Sequence, residues 1–243
     1  IIFIPLSHSF FSNSYILASG GYSQSKWAAE KIIEGCKNNL GFPVVIARPG
    51  FVSWSTVTGA FNGSDWLMRL IKGSIALGAA PISSSRLNLV PVDFTAKVIV
   101  RTAIDYTYHN TELNIWNRLN TIKWDDFVHW ICTSPPLAPG SLPESLMALL
   151  AQFSMQCNTD VWQEYASLEV TKLQHKATPR SQEDAWRLDL ISALLMFENG
   201  VPSTSDLGSE EPSTFFPTFA KYPVISESYV HKLVKALLIT FHL

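Results

Sequence analysis

Tyr22 and Lys26, four residues apart, are the pair in this chain whose types and spacing suit proton chemistry. On a helix, positions i and i+4 share a face, so the spacing predicts an ammonium carried beside a phenol. A cation there favours the phenolate, and such a phenol can pass a proton to a carbonyl oxygen as hydride reaches the carbon. The same ammonium could hold the ribose hydroxyls of a nicotinamide cofactor and so fix the hydride donor in place. Spacing alone leaves a second reading open. Tyr22, Lys26, Ala29, Ile33, Cys36 and Leu40 form a stripe of helical period, and a lysine in an apolar stripe can lay its stem on that surface and carry its head to water.

The elements that must position this pair follow from hydrophobic periodicity. Residues 22–39 read as a helix, Pro43–Arg48 as a buried strand, 65–77 as a helix, Leu87–Val92 as a short strand and Asp93–Tyr106 as a helix. Glu112–Trp116 gives another strand and Lys123–Cys132 another helix. That alternation argues for an α/β fold on a largely parallel sheet. Beyond Thr133 come Ser134-Pro135-Pro136 and Pro139-Gly140, then helical windows near 143–153, 160–175 and 183–198 and a Ser/Thr/Pro/Glu loop to about Pro217. A last helix runs from Ser226, its expected N-cap, to Phe241. The expected organisation is an α/β core over residues 1–133 and a mostly helical lobe over 134–243, with segments of the two free to interleave.

Composition removes several classes. The 243 residues are 47% hydrophobic and 16% charged, which fits a chain that folds and buries a core. A formal net charge of −2 without a Lys/Arg run offers no footprint for nucleic acid or an anionic membrane surface. No apolar stretch reaches the ~20 residues of a spanning helix. Cys36, Cys132 and Cys157 are odd in number and far apart, which suits a reducing, cytoplasmic setting. The six histidines show no metal-ligand spacing, so no metal is expected. Gly21-Tyr22-Ser23-Gln24-Ser25 lacks the second glycine of a serine-hydrolase elbow. The opening Ile1-Ile2-Phe3-Ile4 has no signal-peptide character and reads as a strand entered partway through a fold.

Read together, the neighbours of the pair say more. Gly21-Tyr22-Ser23-Gln24-Ser25-Lys26-Trp27-Ala28-Ala29-Glu30-Lys31 resembles the active-site helix of thioester reductase domains, the extended short-chain dehydrogenases/reductases of carboxylic acid reductases, aminoadipate reductases and fungal nonribosomal peptide synthetase-like proteins of secondary metabolism. Pro43 to Gly50, Thr58 to Asn62, Asp65 to Gly73, Leu77-Gly78 and Pro91-Val92-Asp93-Phe94 are similar, in order, to the segments that follow in that family. The likeness is tight over 21–106 and looser beyond, where Ile122 to Asp126, Trp162 and the final helix match the usual layout of the substrate lobe.

The resemblance implies the C-terminal half of a Rossmann-like core with a substrate-binding lobe. It implies NADPH-dependent reduction of an acyl thioester, tethered to the phosphopantetheine arm of a carrier protein, to an aldehyde or alcohol. Tyr22 would be the acid and Lys26 the ribose anchor, while Arg48, Pro49, Gly50 and Val52 would flank the nicotinamide. For Arg48, Pro49 and Gly50 the plain alternative is a strand stop and turn. The family also uses a Ser or Thr before the tyrosine, for which Ser7 is the candidate and an ordinary loop serine the alternative. The glycine-rich turn with which the family begins has no counterpart here. The chain is therefore expected to be N-terminally truncated, to bind NADPH weakly alone, and to act as a fragment of a reductase or, alternatively, to survive as a non-catalytic remnant with a carrier-docking lobe.

Overall fold

The computed structural model describes residues 2–3, 21–117, 121–134, 155–176, 181–197, 200–201 and 221–240. In chain order these form β1 (Ile2–Phe3), α1 (Gly21–Leu40), β2 (Ile46–Pro49), β3 (Phe51–Ser53), α2 (Trp66–Leu77), β4 (Ala79–Pro81), β5 (Arg86–Leu87), β6 (Leu89–Pro91) and α3 (Val92–Ile104). There follow β7 (Glu112–Ile115), β8 (Ile122–Lys123), α4 (Trp124–Cys132), β9 (Met155–Cys157), α5 (Thr159–Gln174), α6 (Gln182–Ser192) and α7 (Glu227–Thr240). The fold is mixed α/β, and its paired strands run parallel in the sheet β1-β2-β7 and in the pairs β3–β6 and β4–β9. The helical window at 143–153, the loop to Pro217 and Ser7 lie outside the described residues.

Two compact units divide the chain discontinuously. The first gathers residues 1–56, 86–122 and 203–225. Its sheet sets Ile46 opposite Glu112 and Pro49 opposite Ile115, with Ile2 and Phe3 against Ile46 and Ala47. One side of that register packs Val45, Ala47, Val90, Val98, Leu113, Ile115 and Trp116 into a buried cluster, with Phe94, Ile99 and Tyr108 against it. β2 starts three residues later than its apolar pattern suggests. Pro43 has no N–H to give a ladder, and Val44 is already held by Asn110, whose amide N–H donates to the Val44 carbonyl at 2.6 Å. The strand expected over Leu87–Val92 breaks at Asn88. Its buried side chain donates to the Asn117 carbonyl at 2.8 Å and accepts the Asn117 N–H at 2.9 Å, and so displaces ladder bonding at that point.

The second unit comprises 57–85, 123–202 and 226–243. α2 is specified at both ends: Asp65 accepts the Leu67 N–H at 3.1 Å, and Gly78, at φ 80°, donates to the Ser74 and Ile75 carbonyls. α6 opens with a capping box between Ser181 and Asp184. Two buried tryptophans serve β4, the indole N–H of Trp162 donating to the Ala79 carbonyl at 3.0 Å and that of Trp124 to the Pro81 carbonyl at 2.7 Å. Burying an indole requires such a partner. At Ser226 the backbone carbonyl takes the first helical N–H groups, from Tyr229 and Val230, while its hydroxyl meets that of Ser228. Among the described residues no helix is long and apolar enough to cross a membrane.

Candidate functional site

α1 places the tyrosine in its first turn and the lysine one turn on. The Lys26 ammonium lies 5.5 Å from the centre of the Tyr22 ring, so the two side chains converge. The phenol is 64% exposed, and Lys26 and Trp27 are half-buried, which leaves the pair open to a bound molecule. The Ser25 hydroxyl donates to the Tyr22 carbonyl at 2.7 Å and ties down the helix's opening turn.

What seats α1 on the sheet is charge. Glu30, two turns below Tyr22, is buried, as is Arg48 on β2, and the Arg48 guanidinium donates from both Nε and Nη2 to the Glu30 carboxylate. Its Nη1 donates to Glu112 on β7 at 2.6 Å. Burial works against the Arg48 charge, but the two carboxylates outweigh it and hold the guanidinium above the usual arginine range. The buried acid stands beside the stripe of helical period rather than in it, and Leu40, assigned to that stripe, is 67% exposed. A helix face packed on Arg48 needs a counter-charge there more than another apolar group.

The remaining cofactor candidates are less open. Arg48 and Pro49 are buried, and Gly50 and Val52 are half-buried, Val52 being paired with Val90 across β3–β6. The Gly50 N–H donates to the Ile115 carbonyl at 2.8 Å. A Cβ at Gly50 would stand 3.2 Å from both Asn88 Oδ1 and Trp116 Cβ, so the chain's own packing accounts for that glycine. Asp93 of the Pro-Val-Asp element accepts the Thr56 N–H at 3.0 Å and the Thr56 hydroxyl, pinning the chain after β3 to the start of α3. Burial alone would raise the Asp93 carboxyl, but its bonds to Thr56 and to the first N–H groups of α3 hold it below the usual carboxylate range. Trp54 is fully buried. Among the described residues no group of three or more His, Cys, Asp or Glu could hold a metal ion.

An exposed phenol and an ammonium side by side can both donate hydrogen bonds to the oxygens of a bound molecule. Spacing identified that pair. It did not identify Glu30 and Glu112, although an arginine in an otherwise apolar strand signals that acids must come to meet it.

Residues 9–99 match the male sterility protein family, an NAD-binding domain. Over 93 residues the chain is 43% identical to the L-2-aminoadipate reductase of Saccharomyces cerevisiae, a stretch covering 38% of this chain and 7% of that protein. Its structure is similar to the terminal R domain from the myxalamid PKS-NRPS biosynthetic pathway, with a TM-score of 0.68 and 21% identity over 100% of this chain and 55% of that one. A thiolation-reductase di-domain from an archaeal nonribosomal peptide synthetase also matches, with a TM-score of 0.57 and 16% identity over 99% of this chain and 48% of that one. At these identities the two structures speak for the fold. The chain thus spans only a small part of the reductase it matches in sequence and about half of each structure.

Proposed function

We propose that this chain, which is of the thioester reductase type of extended short-chain dehydrogenases/reductases, reduces an acyl thioester with NADPH. The observation that carries the proposal is the convergence of Lys26 on Tyr22 at an exposed helix face. A match to an NAD-binding family supports a nicotinamide cofactor. The tether to a carrier protein's phosphopantetheine arm is supported by the likeness to a thiolation-reductase di-domain.

In this reading Tyr22 donates its phenolic proton to the thioester oxygen, and Lys26 holds the nicotinamide ribose. When bound, NADPH supplies hydride to the thioester carbon. The C–S bond of the resulting hemithioacetal then breaks, releasing the carrier thiol and an aldehyde, and a second reduction of the same kind would give the alcohol. Arg48 acts through Glu30 to seat the helix, Pro49, Gly50 and Val52 flank the nicotinamide, and Ser7 is proposed as a second hydrogen-bond donor to the substrate oxygen. General acid catalysis of this kind is worth ~10²–10⁴ in rate.

The test is NADPH oxidation, followed by absorbance with octanoyl-pantetheine as substrate. It is run on the chain alone and on the chain fused behind the glycine-rich half of a related reductase. Turnover that falls about 100-fold or more in Tyr22→Phe, with an unchanged circular-dichroism spectrum, supports the assignment. Turnover that Tyr22→Phe leaves intact, or none in either form, removes it.

A further inference from the structure

Within the second unit a cavity of about 620 Å³ lies between the 57–63 loop, α2 and α7. The loop is pressed onto α7 at Gly59, whose φ is 74°. A Cβ there would stand 2.4 Å from the Lys232 carbonyl oxygen, so only glycine lets the backbones approach. The cavity wall is apolar at Val57, Phe61 and Ala236, and three lysines line it, Lys72 from α2 with Lys232 and Lys235 from one face of α7. Among the described residues, none of those lining it is acidic.

Lys72 is the most buried of the three. Its ammonium stands 5.3 Å from the centre of the Phe61 ring and 3.5 Å from the place a Cβ on Gly63 would occupy. Burial pushes its pKa below the usual lysine range. Three like charges around one apolar cavity repel one another, and each would gain from an anion placed among them.

We propose that this cavity is a binding site for an organic anion, an apolar body that ends in a carboxylate or a phosphate. The body lies against Val57, Phe61 and Ala236, and the anionic end is received by Lys72 and Lys235. The volume is in the range of pockets that enclose small organic ligands. The inference stands independently of the redox assignment, since no residue proposed for reduction lines the cavity.

Isothermal titration calorimetry of the chain with octanoate, octyl phosphate and octanol, at constant ionic strength, tests it. At least one anion is expected to bind with a sub-millimolar Kd, and octanol about tenfold or more weakly, the factor that one lost charge-assisted hydrogen bond accounts for. Tighter octanoate assigns a carboxylate ligand, and tighter octyl phosphate assigns a phosphate. Lys72→Met and Lys235→Glu should each weaken the anion about tenfold or more without moving the thermal unfolding midpoint. Lys235 is exposed, so its variant carries the test alone if Lys72→Met misfolds. Failure of both anions to bind, octanol binding equal to theirs, or full affinity in a folded Lys235→Glu variant would overturn the proposal.

Discussion

Arg48 on β2 grips Glu30 on α1 from two of its nitrogens, so the helix bearing Tyr22 and Lys26 is fastened to the sheet by a buried ion pair. Glu112 completes the group but keeps 39% of its side chain exposed. Arg48→Met would leave Glu112 able to turn to water and Glu30 unable to. The expected cost is about 3–5 kcal/mol, the usual penalty for an uncompensated buried charge. Replacing both partners, Arg48→Met with Glu30→Leu, should recover most of it. Urea denaturation measures both. A single mutant within about 1 kcal/mol of the parent would show that the pair carries no such weight.

Lys26→Met keeps the apolar stem and removes the ammonium from above Tyr22. If Lys26 holds the ribose, KM for NADPH should rise about tenfold or more, matching the ~1.5–3 kcal/mol of a hydrogen bond to a charged group. Stability should move by less than about 0.5 kcal/mol, as for surface substitutions generally. Steady-state kinetics at varied NADPH reads the effect. An unchanged KM would assign Lys26 the plain role of a lysine with its head in water.

Gly73→Ala sets helix propensity against packing. Alanine is favoured over glycine inside a helix by about 1 kcal/mol. Yet a Cβ on Gly73 would stand 2.4 Å from Leu194 Cδ2 and 2.7 Å from the Leu190 carbonyl oxygen, and the latter belongs to backbone that cannot swing aside. Packing should win, with a net loss of about 1–3 kcal/mol from overpacking. Thermal unfolding decides the sign.

Tyr222 supplies a pH dependence. Burial raises its phenol to about 12, against a small opposing effect from the Trp116 backbone, and its ring packs 4.7 Å from that of Phe94. The folded state holds the proton more tightly than the unfolded chain, whose tyrosine titrates near ~10. The contribution is therefore complete below pH ~10 and is lost as pH rises towards 12, amounting to roughly 2–3 kcal/mol. Unfolding measured between pH 8 and 12 should show this decline, and Tyr222→Phe should remove that part of it.

Much of this chain is written locally. Tyr22 and Lys26 converge because the helical repeat puts i and i+4 together, and α2 begins and ends where Asp65 and Gly78 cap it. The α/β character and the parallel sheet follow from alternating patterns that need no partner to be read. Other features have no local signature. Ala79–Pro81 becomes a strand because β9 pairs with it and two indoles take its carbonyls, none of which is near it in sequence. Glu30 looks like an ordinary exposed helix acid until Arg48, eighteen residues on, is folded against it. Lys72, Lys232 and Lys235 share a cavity only because Gly59 lets a loop close on α7. Periodicity and caps act within a few residues and so are visible in the chain. Charge pairing and cavity formation act between distant segments, and only the folded structure brings those together.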